Sequence, residues 1–125
     1  MAILALHHAS VLVSDTARAL QFYCAVLGLE LEPNRPELGY PGAWLRINAQ
    51  QQIHLLELPN PENGLNRPTH GGHDRHIALY SNDLETIVQR LQTAQIPFTR
   101  SQSGRQALFC RDPDGNAIEL IYSPT

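Results

Sequence analysis

The chain has 125 residues, 42% of them hydrophobic and 17% charged, with a net charge of -3 at pH 7 and an isoelectric point near 6.0. That length suits one compact domain burying roughly two-thirds of its unfolded surface, and the mildly acidic balance excludes the basic footprint of nucleic-acid or anionic-membrane binding. All nine basic residues are arginines, which excludes Schiff-base chemistry on a lysine and a phosphate-loop lysine.

The opening run MAILALHHASVLV is apolar but has no basic leader and carries two histidines, so residues 3–13 read as a first strand and not as a signal peptide. Ser14 and Asp15 supply capping chemistry for a helix in which Leu20, Tyr23, Cys24 and Leu27 recur at helical spacing until Gly28. A strand is predicted near 29–33, a turn at Gly39–Gly42, and a hairpin over 43–48 and 52–58. Residues 59–75, rich in Pro, Gly and Asn, read as a linker between modules 1–58 and 76–125. The second module restarts with a strand at 76–80 and a helix from about 83 to 94, where Asn82 and Glu85 have capping-box spacing and Leu84, Ile87, Val88 and Leu91 form a stripe. Pro97 ends that helix. Strands near 97–100, 106–111 and 117–122 follow, the last two joined by Asp112-Pro113-Asp114-Gly115, with Asp, Pro and Gly where a type I turn places them. No stretch nears the about 20 apolar residues of a membrane span, and Cys24 and Cys110 read as two reduced thiols in a cytoplasmic protein.

Each half is thus predicted as β-α-β-β-β, and the halves superpose as a repeat. Residues 8–23 lie over 76–91, matching His8 to His76 and Asp15 to Asp83; residues 42–59 lie over 107–124, matching Trp44 to Phe109, Arg46 to Arg111 and His54 to Glu119. Strand alternation then separates the faces. Ala9, Val11 and Val13 form the row that covers a helix, which puts His8 opposite and turns His7 away from it. Ile53 and Leu55, like Ile118 and Leu120, form the packed row, so His54 and Glu119 share the helix-free face with His8, His76 and Tyr80. Glu57, three residues beyond His54, falls on the other face and reads as a solvated carboxylate. Three imidazoles and one carboxylate at repeat-related positions suit a single divalent metal ion, whether Zn, Ni, Fe, Co or Mn. His70 and His73 read as uninvolved loop residues.

The runs HASVLVSDTARALQFYCAVLGLEL, RHIALYSNDL and ALFCRDPDGNAIELIY together resemble the vicinal oxygen chelate superfamily, which includes glyoxalases, fosfomycin-resistance thiol transferases, extradiol dioxygenases and bleomycin-resistance proteins. The resemblance covers nearly the whole chain. It implies an α+β fold in which two βαβββ modules form a half-open, barrel-like sheet, usually in a homodimer, with metal ligands at His8, His54, His76 and Glu119. It also implies that modules can be exchanged between the chains of a dimer.

The chain departs from the family's lactoylglutathione lyases at His54, where those enzymes typically carry a glutamate. A divalent ion with one carboxylate keeps a charge of about +1, a stronger Lewis acid than a neutral site, and Glu119 is left as the one base. The expected activity is a metal-dependent, glyoxalase-like lyase or isomerase moving a proton on a small substrate with vicinal oxygens. Trp44, Tyr80, Phe109 and Arg111 are the expected substrate contacts. Two rivals stand beside it: a metal-free drug-binding protein of the bleomycin-resistance type, and a thiol transferase of the fosfomycin type, for which RSQSGRQ lacks a clear match to the family's potassium and phosphonate loop. Four ligands on an octahedral ion leave two open positions, and an extradiol dioxygenase needs three.

Overall fold

The computed structural model describes residues 1–125. They divide into two compact units, Met1–Pro61 and Glu62–Thr125, and each is a β-α-β-β-β module as the repeat predicts. In the first, β1 (His8–Leu12) leads into α1 (Thr16–Leu20), followed by β2 (Glu30–Leu31), β3 (Gly42–Arg46) and β4 (Gln52–Leu56). In the second, β5 (His76–Ser81) leads into α2 (Leu84–Thr93), followed by β6 (Phe98–Arg100), β7 (Ala107–Arg111) and β8 (Ala117–Tyr122). The strand orders are β1-β4-β3-β2 and β5-β8-β7-β6. In both sheets the first strand runs parallel to the last, and the other neighbours are antiparallel.

Burial follows the alternation read from the sequence. Leu45, Ile53 and Leu55 are at most 1% exposed and share the first core with Val13, Ala19, Phe22 and Tyr23. In the second unit Leu79, Ile87, Leu91, Leu108, Ile118 and Leu120 do the same. Gly42 is required where it stands, because a Cβ there would lie 2.2 Å from the Leu55 carbonyl oxygen.

Several boundaries move, each for a local reason. The first strand begins at His8 and not at residue 3; Ile3, Leu4 and Leu6 are 63–90% exposed and pair with nothing that would hold them extended. The first helix is α-helical only to Leu20 and widens over Gln21–Val26 into a π segment, where the Leu27 N–H donates to the Phe22 carbonyl five residues back at 2.9 Å. That wider turn keeps Phe22, Tyr23 and Val26 all buried. Asp83, not Asn82, caps α2, accepting from the Thr86 N–H at 3.0 Å and the Thr86 hydroxyl at 2.6 Å. The helix stops at Thr93, before Pro97 can act. Ile96 N–H reaches back to Leu91 O and Gln95 N–H to Gln92 O, with Gln95 in the left-handed region at φ 58°. Residues 62–75, expected as a linker, belong to the second unit. There Gly71 packs so closely over Phe109 that an added Cβ would sit 3.1 Å from the Phe109 Cβ.

The β7–β8 connection closes as predicted. Gly115 N–H donates to Asp112 O at 3.0 Å, and the buried Asp112 carboxylate accepts from the backbone of Asp114 and Asn116, both at 2.9 Å, and from the Asn116 amide at 2.8 Å. No helix is long and apolar enough to cross a membrane. Both cysteines are free, and burial pushes the Cys110 thiol up to about 12, which keeps it protonated and unreactive.

Two stability measurements test these assignments by urea denaturation. Gln95→Gly removes the left-handed strain of a side chain at that site and should raise the unfolding free energy by about 0.5 kcal/mol; a loss would show that the strain is absent. Asp112→Ala strands three donors in a buried turn and should cost about 2–4 kcal/mol, whereas a change below about 0.5 kcal/mol would mark the turn as ordinary surface.

Candidate functional site

In the first unit, β3 and β4 pair so that Trp44 stands directly across from His54, and β1 pairs with β4 so that Ser10 stands on the other side of it. His8 reaches diagonally over the same face. The outcome is a stack of three rings: His8 on His54 with centroids 3.9 Å apart and planes 13° from parallel, and His54 on Trp44 at 4.3 Å and 6°. His54 is 7% exposed, and its Nε2 lies 2.8 Å from the Gln52 amide oxygen, so it donates there and carries its free lone pair on Nδ1.

Burial first, then the positive charges of His8, His7 and Arg35, lower the His54 pKa to about 4. His54 is therefore a neutral ring at physiological pH. The sign follows from linkage: above the unfolded value of about 6.5 neither state holds the proton. As pH falls toward 4 the unfolded chain takes a proton that the folded chain refuses, and folding loses stability across that window.

The equivalent positions of the second unit hold charge. β7 and β8 pair Phe109 with Glu119, and β5 and β8 pair Ala78 with Glu119, the same register as Trp44–His54 and Ser10–His54. Glu119 is 2% exposed. Its Oε1 lies 3.2 Å from His76 Nε2, and its Oε2 accepts from Arg105 Nη2 at 3.0 Å. The His76 Nδ1 lies 2.9 Å from the Asp74 carbonyl, which can only accept, so the proton of that nitrogen is fixed and Nε2 is the atom presented to Glu119. A bare nitrogen lone pair and a carboxylate repel each other at this separation. A cation held by both, a proton or a metal, makes the approach favourable.

The expected ligands thus appear as two pairs, one in each unit, and no group of three or more His, Cys, Asp or Glu side chains is gathered for an ion. The second pair fits the demand of a divalent metal. Two adjacent ligands at about 2.1 Å from an ion at right angles are about 3 Å apart, close to the 3.2 Å observed. In the first pair the His54 Nε2 is engaged by Gln52, and Nδ1 is the open donor.

The expected substrate contacts divide. Trp44 and Phe109 lie beside His54 and Glu119, and Phe109 helps line a cavity of about 480 Å³ within the second unit. Tyr80 is 78% exposed on the strand that carries His76. Arg111, expected to face substrate, is instead a tether. It donates to Asp74 Oδ2 at 2.9 Å, to the Gly115 carbonyl at 2.6 Å and to the Pro68 carbonyl, which ties residues 62–75 to β7. Hydrogen bonds from Arg67 first, and then from Arg111, hold the Asp74 carboxyl down at about 2.

Alternation misplaced one residue. His7 just precedes β1, and its Nδ1 comes within 2.8 Å of His8 Nδ1 instead of turning away. Glu57 does lie on the helix-covered face, but as a half-buried partner of α1 and not a solvated carboxylate: its Oε1 accepts from the Thr16 N–H at 2.8 Å, beside the N-cap Asp15. Arg105 and Arg35 are the charges closest in effect to the two pairs. Neither arginine carries a local sequence signal: Arg105 lies in the loop before β7 and Arg35 in the loop after β2.

The family model of the Glyoxalase/Bleomycin resistance protein/Dioxygenase superfamily matches residues 5–120. "Glyoxylase I 4" of Arabidopsis thaliana is 34% identical over 121 residues, covering 92% of this chain and 68% of that protein. The "Probable lactoylglutathione lyase" of Synechocystis is 27% identical over 123 residues, 93% of each. Among solved structures, TnmS3, an antibiotic binding protein from Streptomyces sp. CB03234, shares the fold with a TM-score of 0.73 at 24% identity over 98% of each chain. On the match across residues 5–120, and on two β-α-β-β-β units of identical strand order and register, the chain belongs to the Glyoxalase/Bleomycin resistance protein/Dioxygenase superfamily.

Proposed function

We propose that the protein is a metal-dependent lyase or isomerase of the glyoxalase kind, moving a proton on a small substrate with two adjacent oxygens. The observation that carries this reading is the buried Glu119 carboxylate, 2% exposed and 3.2 Å from a histidine nitrogen whose other nitrogen is already fixed as a donor. Relatives named as a glyoxylase and a lactoylglutathione lyase support the chemistry. His76 and Glu119 would hold a divalent ion in the second unit, His8 and His54 are the donors the first unit offers, and these donor types suit Zn, Ni, Fe, Co or Mn. When bound, such an ion supplies Lewis-acid polarisation of a carbonyl. A homodimer is the proposed assembly, and a soluble small molecule the proposed partner.

The chain's own residues divide the remaining work. Glu119 is the base, a carboxylate held in place by its strand neighbours beside the histidine. Oε1 is oriented by His76, and Oε2 must be released by Arg105 before it can take a proton. Arg105 can turn away, because its side chain is 57% exposed and, from the loop before β7, also lines a second cavity of about 890 Å³ with Arg100, Gln106 and Tyr122. An anionic group of the substrate placed there would draw Arg105 off the base. Trp44 and Phe109 exclude water from the His54 and Glu119 positions.

A binding protein without catalysis is the second reading, and the flat stack of His8, His54 and Trp44 favours it, since a planar ligand could extend that stack.

Metal content and proton exchange decide between them. Protein purified without a tag should carry a divalent transition metal near one per chain. It should then catalyse deuterium incorporation from D₂O at the carbon of an α-oxoaldehyde hemithioacetal, with chelation abolishing exchange and metal restoring it. Glu119→Gln should reduce exchange at least about 100-fold. Exchange that survives this substitution removes Glu119 as the base, and tight ligand binding with no bound metal establishes the second reading.

A further inference from the structure

We infer that His7 is a positioning residue that fixes which nitrogen of His8 bears the proton. The inference rests on the proposed metal role of His8 and concerns a side chain that the repeat leaves out.

The two units solve one problem by different means. A histidine that presents its Nε2 to a metal must keep its proton on Nδ1, and it keeps it there by donating to an acceptor. His76 has such an acceptor in the Asp74 carbonyl, 2.9 Å from its Nδ1. His8 holds the equivalent place in the first unit, at the start of a strand parallel to the last strand of its sheet. Its Nδ1 meets a ring instead: the His7 Nδ1, 2.8 Å away.

One of these two nitrogens donates and the other accepts. If His7 donated, His8 would carry its remaining proton on Nε2 and present no lone pair there. If His8 donates, His7 keeps its own proton on Nε2, and His8 matches His76 nitrogen for nitrogen. The second arrangement makes the modules chemically equivalent where their backbones already are. His7 immediately precedes β1, its carbonyl accepting from the Gln52 N–H of β4 at 3.1 Å, and its ring lies edge-on to His8 at 84° and edge-on to His54 at 86°. The edge-on pose aims a ring nitrogen at His8 while His8 stays stacked on His54.

Two-bond ¹H–¹⁵N correlations of the histidine rings, recorded on the chelator-treated full chain at mildly alkaline pH, read the tautomer directly. His8 should be the Nδ1–H form. His7→Phe keeps an aromatic ring but has no acceptor and should move His8 to the Nε2–H form, while His7→Asn, whose amide oxygen accepts, should restore it. Zinc titration of the same proteins should show about tenfold weaker binding for His7→Phe and recovery for His7→Asn. His7 is exposed, and dispersed amide spectra of both variants would establish that they fold. An Nε2–H form of His8 in the unaltered protein, or a tautomer indifferent to His7→Phe, overturns the inference even if zinc binds. Failure of the unaltered protein to bind zinc, nickel, iron, cobalt or manganese overturns the metal reading, and the tautomer spectra still decide what His7 does.

Discussion

The parallel pairing of the first strand of each module with its last is the constraint on which the rest depends. A helix must cross between β1 and the remaining strands, and between β5 and theirs, so one face of each sheet is committed to covering it. The other face stays free of the helix, and the period-2 alternation of the strands delivers His8 and His54, or His76 and Glu119, to it. The antiparallel neighbour adds the aromatic: Trp44 opposite His54, Phe109 opposite Glu119. A slip of one residue in either parallel pair would send these side chains into the helix-covered core and the apolar row into solvent. The apolar rows Ile53–Leu55 and Ile118–Leu120, each at most 3% exposed, oppose such a slip.

That dependence explains what the sequence could and could not reveal. Wherever a strand is paired, alternation is enforced by the neighbouring backbone, and the faces of His8, His54, His76 and Glu119 were readable from letters alone. His7 was misread because the rule was carried one residue past the end of β1. Glu57, just beyond β4, keeps the face that alternation gives it, but there its carboxylate bonds the first residue of a helix far from it in sequence, which no local pattern could show. The α2 cap moved from Asn82 to Asp83 because both can cap and only the chain direction leaving β5 chooses between them. Arg111 lies within a strand and on the expected face, but its length lets it bond Asp74 and two carbonyls that no local pattern brings near.

The two modules share a backbone plan and differ in electrostatics. The first holds a neutral histidine, its pKa lowered to about 4, between two other rings with Arg35 near enough to contribute to that shift. The second holds a carboxylate between an arginine and a histidine. Replacing the carboxylate that family lyases carry at the His54 position with an imidazole removes one negative charge without disturbing the pairing, because His54 makes the same cross-strand contact with Trp44 that Glu119 makes with Phe109.

A site built from these donors is asymmetric in function although it is symmetric in register. Glu119 is the carboxylate of the two pairs, and Arg105 holds its second oxygen. His54 is buried, neutral and engaged by Gln52, suited to be a ligand or a stacking surface but not a proton carrier. A symmetric pair of carboxylates could deliver a proton to either face of a bound substrate and return it from the other. If Glu119 is the proposed base, a single carboxylate would remove and return the proton on one side, and the reaction would be a suprafacial shift and not an inversion.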